Sequence, residues 1–230
     1  MTISYLLVAL LPLGIAAALQ PLQIFVMITM LQARRGVANG LAYISGMTAF
    51  RLVLGALFWA LLSGVEEAVE SGGGKFGLIV GTVLVVLGIA LLFYGLRYAF
   101  SANEGEEEAP SWLNKLGDAT PAKAGLIGFA MLALDPKDWL ADLAAVDIIA
   151  AADLSGLASL LAYLWYALLS LSLVFIPLIL VLVAPQKSDE SLNSLNAWLE
   201  RHTRTIVIAV AILLGAYFLY SGLEMVGVFS

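Results

Sequence analysis

The chain has 230 residues, of which 62% are hydrophobic and only 12% charged, with a mean hydropathy of +0.98. Soluble domains lie nearer about 45–50% apolar and about 25% charged, so an ordinary soluble domain is excluded and a polytopic helical membrane protein is indicated. The net charge of −6 argues against nucleic acid, and the absence of cysteine removes disulfides, thiolate metal sites and thiol relays.

The first apolar run, Ile3 to Leu31, is too long for one straight crossing, which needs about 20 residues. Its start lacks a basic leader region and the run continues past any plausible cleavage point, so it reads as a first span and not a removable signal. Gln20-Pro21 interrupts it, Gln23 follows the interruption and Arg34-Arg35 close it. Span two, about Gly36 to Ser63, carries one charge, Arg51, near its middle, and a loop with Glu66, Glu67, Glu70 and Gly72 to Gly74 is expected after it. Span three, about Phe76 to Phe100, places Gly81, Gly88 and Gly95 at heptad spacing, a small-residue stripe suited to close helix contact.

Ser101 to Thr120 is the one long polar segment, with Glu104, Glu106, Glu107 and Glu108. Within it Trp112, Leu113 and Leu116 suit one turn of interfacial amphipathic helix. Span four, about Lys123 to Ala152, holds Asp135-Pro136-Lys137-Asp138 and Asp142. Span five, about Leu157 to Val183, carries Pro177. Leu192, Leu195, Trp198 and Leu199 make a second short amphipathic face before the last span, about Thr205 to Val228.

Six spans define two sides. Arg34, Arg35, Arg97, Lys115, Lys123, Lys187, Arg201 and Arg204 fall on one and Lys75 alone on the other. The basic side is the cytoplasmic one, which puts both termini outside the cytoplasm in a multi-pass protein of the cytoplasmic (inner) membrane. Leu87-Gly88 to Gly95-Leu96 and Leu214-Gly215 to Gly222-Leu223 coincide at five of ten positions, three leucines and both glycines at one spacing. Pro21 and Pro136 break the first span of each half. The expected fold is therefore all-α, with six transmembrane helices in two inverted three-helix repeats whose first and fourth helices are broken by proline. The first repeat covers 1–100, a cytoplasmic acidic loop with a short interfacial helix covers 101–121, and the second repeat covers 122–230.

The candidate site lies at the breaks. Asp135, Asp138 and Asp142 recur at i, i+3 and i+7, one face of a helix at membrane depth, where ionisable groups mark a substrate or ion pathway by default. Arg51 and Lys137 are the available cations, so three carboxylates face two positive charges and one is left over. The alternative for this cluster is internal pairing that fixes helix register. Arg51 suits a counter-ion as well as an anion-binding group. Lys137 suits the site or, if the span is shifted, a snorkelling position. Gln20 and Gln23 suit either substrate contact or bonding to backbone groups freed at the break. Pro21 and Pro136 are read as structural breaks. His202, the only histidine, has no metal-ligating neighbours in sequence, and no catalytic motif, metal site or cofactor signature is present, so neither enzyme activity nor a cofactor is expected.

Three stretches resemble a known family: Ala18-Leu19-Gln20-Pro21-Leu22 with Ala33-Arg34-Arg35-Gly36, then Leu134-Asp135-Pro136-Lys137-Asp138, and Leu195-Asn196-Ala197-Trp198-Leu199-Glu200-Arg201-His202. Together they resemble the Sap family, sulfolipid- and glycopeptidolipid-addressing (GAP) proteins, within the lysine-exporter (LysE) superfamily of inverted-repeat transporters. The second stretch in that family usually reads asparagine-proline-lysine-asparagine; here Asp135 and Asp138 replace both asparagines. The resemblance implies export of envelope lipids or glycolipids.

The function expected is outward transport of a lipid-like or amphipathic envelope molecule, with aspartate protonation a candidate source of coupling. Conversion of Asp135 or Asp138 to asparagine is then expected to remove the pH dependence of transport more than it disturbs folding. The alternatives are an exporter of a small cation or amino acid, and a non-transporting scaffold for envelope-lipid export. The partners expected are membrane lipids and the lipid or small amphipathic substrate, with a homo-oligomer allowed and nucleic acid excluded.

Overall fold

The computed structural model describes residues 3–72, 75–100, 116 and 119–228. All the regular elements among them are helical: α1 (Ile3–Ala9), α2 (Leu11–Ala18), α3 (Pro21–Gln32), α4 (Gly36–Gly72), α5 (Lys75–Phe100), α6 (Pro121–Ala133), α7 (Pro136–Ala150), α8 (Gly156–Val183) and α9 (Ser188–Met225), with a 3-10 turn at Pro185–Lys187. The all-α expectation holds for these residues.

Two helices run further than the sequence reading placed them. The expected loop at Glu66 to Glu70 is the last part of α4, because alanine, valine and glutamate there supply no stop signal before Gly72. The amphipathic stretch around Leu192 to Leu199 is continuous with the last span in the 38-residue α9. No glycine or proline separates the two. Trp112, Leu113 and the Glu104 to Glu108 run lie outside the described residues; Leu116, from the same expected turn, is buried.

Both expected breaks are present, and proline causes each. A residue before proline is driven out of the α region, and both Gln20 (φ −123°, ψ 74°) and the extended Asp135 (φ −101°, ψ 99°) lie outside it. The helices either side of Gln20 meet at a 64° bend. At the second break Pro136 has no N–H for the Leu132 carbonyl, and the Asp135 N–H serves it at 3.2 Å. A further discontinuity at Leu10, where Pro12 opens α2, was not anticipated.

Among the described residues three helices qualify by length and composition as membrane spans, Gly36–Leu61, Gly156–Val183 and Arg201–Glu224, and the bent pair Ile3–Ala18 with Pro21–Gln32 is a fourth if counted as one broken span. Leu84–Phe100 and Pro121–Ala133 are shorter apolar helices. The chain is accordingly a multi-pass membrane protein.

The residues group into two compact units. One takes 1–59 and 106–201, the other 60–105 and 202–230, so each draws on both halves of the sequence. In the first unit α8 packs against α1, α2, α3 and α7, and α2 also packs against α7. There Gly46 of α4 lies against the backbone of Gly125 and Phe129 in α6, and Gly128 lies against Tyr43. Beads of added carbon at these glycines would collide with backbone, so the helices touch main chain to main chain.

The second unit pairs α5 with the C-terminal part of α9 through the predicted glycines. A Cβ on Gly88 would stand 2.5 Å from the Leu219 nitrogen and 2.8 Å from the Gly215 oxygen. A Cβ on Gly215 would stand 2.9 Å from the Leu92 nitrogen and 3.0 Å from the Gly88 oxygen. Gly222 meets Gly81 and Val85, while Gly95 meets Ala211 and Ile212. The helices are antiparallel, and the contacts on either side of the Gly88–Gly215 crossing match in reverse.

Candidate functional site

The first unit has a polar centre where α3 and α7 begin and where α4 and α8 pass. Asp135 is the N-cap of α7, its carboxylate accepting the Lys137 N–H at 3.2 Å, and Asp138 sits in the first turn. Negative charge is favoured at this end of a helix by the exposed N–H groups and the macrodipole. Asp142 follows one turn later. Asp138 and Asp142 are both fully buried, as are Gln20 and Arg51.

Each glutamine at the first break bonds a carboxylate at the second. The Gln20 amide nitrogen donates to both oxygens of Asp138, at 2.8 and 3.0 Å. The Gln23 amide donates to Asp135 Oδ2 at 3.2 Å. Gln20 stands before Pro21 as Asp135 stands before Pro136, and Gln23 stands two residues after its proline as Asp138 does. The two bonds are therefore reciprocal across the breaks. The glutamine side-chain nitrogens thus bond carboxylates, where the sequence offered freed backbone groups or substrate.

Arg51 reaches the centre from α4. Its NH1 donates to both oxygens of Asp142 at 3.1 Å and to the Tyr166 hydroxyl at 3.3 Å, while NH2 reaches Asp138 Oδ1 at 3.3 Å. Lys137, half-buried, places Nζ 3.3 Å from Asp135 and 3.7 Å from Asp138 without an aligned hydrogen bond to either. So Lys137 is drawn into the cluster. Three carboxylates share two cations, as the sequence indicated.

Three tyrosines close the arrangement, and the sequence reading missed them all. The Tyr43 hydroxyl donates to the Gln23 carbonyl at 3.4 Å, Tyr166 lies under the Arg51 guanidinium with its ring centre 5.6 Å away, and Tyr163 reaches both Arg51 and Asp142. The Tyr163 ring fills the space that a side chain at Gly55 would take. Their signal was faint: tyrosine at mid-span in α4 and α8, where an apolar residue costs nothing and a hydroxyl needs a partner.

Within this cluster the buried atoms Gln20 Oε1, Arg51 Nε and Lys137 Nζ make no hydrogen bond. No group of three or more acidic or histidine side chains among the described residues is arranged to hold a metal ion. His202 is exposed on α9.

A multi-pass helical protein with a largely buried ionic centre between two proline-broken helices belongs to the class of membrane proteins built around a buried polar site. A family model described as Sap, sulfolipid-1-addressing protein, matches residues 10–224. The chain belongs to that family. Comparison with curated proteins and with solved structures returns no match.

Proposed function

We propose that the chain is a transporter that moves a lipid-like or amphipathic envelope molecule outward through a site between its two broken helices. The observation that carries this reading is the reciprocal bonding of the breaks, Gln20 to Asp138 and Gln23 to Asp135. Broken helices at matching positions of inverted halves are the recurrent site architecture of secondary transporters. The mirrored contacts about Gly88 and Gly215 support two inverted three-helix repeats, with 1–100 and 122–230 as the halves and 101–121 as the cytoplasmic loop. The basic residues of the odd connections support a cytoplasmic-membrane protein with both termini outside. Membership of a sulfolipid-addressing family supports a lipid cargo, and the resemblance of the sequence motifs to those of lysine exporters fits the same architecture.

The work of the site is charge control. A lipid headgroup entering the bilayer interior needs polar partners that the hydrocarbon lacks, and the glutamines, tyrosines and Arg51 provide donors there. Parting the two breaks exposes these donors and rejoining them reseals the centre. Of the alternative cargoes, a small cation or an amino acid, the cation fits less well, because the oxygens of Asp138 and Asp142 are already engaged by Arg51, Gln20 and Tyr163.

The test is movement of a fluorescent sulfated glycolipid analogue between leaflets of reconstituted vesicles, read with a membrane-impermeant quencher. Protein-dependent movement, reduced at least tenfold when Gln20 and Gln23 are both changed to leucine, is expected. Movement equal to that in protein-free vesicles, with uptake of lysine or a small cation instead, would favour the cation exporter. No movement of either would favour the scaffold.

A further inference from the structure

The Tyr163 hydroxyl lies 2.7 Å from the Arg51 backbone oxygen and 3.0 Å from Asp142 Oδ1. A phenol has one hydrogen, and a carbonyl and a carboxylate are both acceptors. If Asp142 is ionised, one hydrogen must serve two acceptors. If Asp142 carries a proton on Oδ1, both contacts become good hydrogen bonds: Asp142 donates to the Tyr163 oxygen, and Tyr163 donates to the Arg51 carbonyl.

As the Gln20 and Gln23 amides are oriented, the other two carboxylates lack such a partner. Asp138 is met by the Gln20 amide, Arg51 NH2 and the Lys137 ammonium, and Asp135 by the Gln23 amide and both nitrogens of Lys137. All of these atoms carry only hydrogens to give. A proton on Asp135 or Asp138 would point at N–H groups, whereas Oδ1 of Asp142 has an acceptor ready. Charge agrees with this: three carboxylates and two cations leave one negative charge in a buried cluster, and one proton cancels it.

We propose that Asp142 takes up and releases a proton on Oδ1, held by a relay through the Tyr163 hydroxyl to the Arg51 backbone carbonyl. This rests on the transport reading and assigns its coupling step, moving it one turn along α7 from Asp135 and Asp138. The step is proton uptake from water: one O–H bond forms on Oδ1, and the reverse step breaks it. Asp142 is sealed, so water reaches it when the packed helices part, which ties protonation to the exchange of states. The groups facing it are Arg51 from α4, Tyr163 and Tyr166 from α8, and Asp138 on its own helix. Helix α2, packed against α7, carries no ionisable side chain, and α6 carries only Lys123, exposed in its first turn.

Infrared difference spectra of the full chain in phosphatidylethanolamine–phosphatidylglycerol vesicles, stepped from acidic to alkaline pH without any cargo, test this directly. A carboxylic-acid C=O band that titrates is expected in the parent, in Asp138→Asn and in Asp135→Asn, and is expected to vanish in Asp142→Asn. Tyr163→Phe removes the acceptor and should move the band to higher frequency without abolishing it. If Asp142→Asn does not fold, the Tyr163→Phe spectrum decides. The proposal is overturned by no titrating band in the parent, by its loss in Asp138→Asn or Asp135→Asn, by its survival in Asp142→Asn, or by an unmoved band in Tyr163→Phe. Because no cargo is present, this outcome is independent of the vesicle assay: failure here with lipid movement intact removes the coupling step alone, and the converse removes the transport reading alone.

Discussion

The two compact units solve one packing problem with opposite chemistry. Both join elements from the two halves of the sequence, and both do so reciprocally. In the α5–α9 pair the centre of the contact is made by glycines, Gly88 on Gly215, and toward one end Arg204 donates to the Tyr98 and Ala99 carbonyls. At the breaks the same reciprocity is written in side chains, and it is uneven: the first break brings neutral Gln20 and Gln23, the second brings Asp135 and Asp138. Close glycine packing holds one geometry because moving it forfeits van der Waals contact with no substitute in lipid. A polar network has alternatives, since each donor can exchange a carboxylate for water, headgroup or proton.

The largest effect expected from breaking this contrast is on the ionic side. Arg51→Ala leaves two fully buried carboxylates without their shared cation, and removal of one partner from a buried pair costs about 3–5 kcal/mol. Thermal unfolding in detergent should show this loss, and Arg51→Ala combined with Asp142→Ala should recover part of it. Additive losses in the double variant would count against the pairing.

The glycine clamp should respond less, and differently. Gly88→Val forces a side chain into the Leu219 backbone, an overpacking cost of about 1–3 kcal/mol. The titrating carboxyl band should stay where it is in the parent. A shift of that band would mean the two regions are not chemically separate.

Smaller still is the difference between the two glutamines. Gln20→Leu removes two bonds to the sealed Asp138 and should cost about 1.5–3 kcal/mol, by the range for hydrogen bonds to charged groups. Gln23→Leu removes one bond to Asp135, which keeps partial access to solvent, and should cost less when both are unfolded in parallel. Equal losses would argue that the breaks are braced evenly. Orientation carries no energy in this comparison but fixes which side each break faces. Ser71→Cys should react with an impermeant thiol reagent from outside intact cells, and Ser101→Cys only after permeabilisation; the opposite pattern would invert the topology.

Much of this was legible in the sequence because each feature has a local cause. Proline fixes the two breaks through the residue before it, so Gln20-Pro21 and Asp135-Pro136 could be placed without coordinates. Isolated charges in apolar runs are costly enough that Arg51, Asp138 and Asp142 had to find one another. The tyrosines were not legible, since Tyr43, Tyr163 and Tyr166 look like any aromatic residue in a span until their hydroxyls are seen to have partners. Helix ends were the other gap: without glycine or proline to stop them, α4 and α9 run through stretches whose polarity alone suggested loops.

The central claim is that the ionic centre is machinery for transport and not a brace. Replacing Arg51 with methionine and Asp142 with leucine together removes that pair and leaves Asp138 with Lys137 and the Gln20 amide, and removal of a whole buried pair is often tolerated or even favourable. Movement of the sulfated glycolipid analogue by this double variant, measured beside its unfolding temperature, separates the two roles. The account predicts a folded protein whose transport falls to the protein-free background. A folded double variant that moves the lipid at the parental rate, with the parental pH profile, would contradict it.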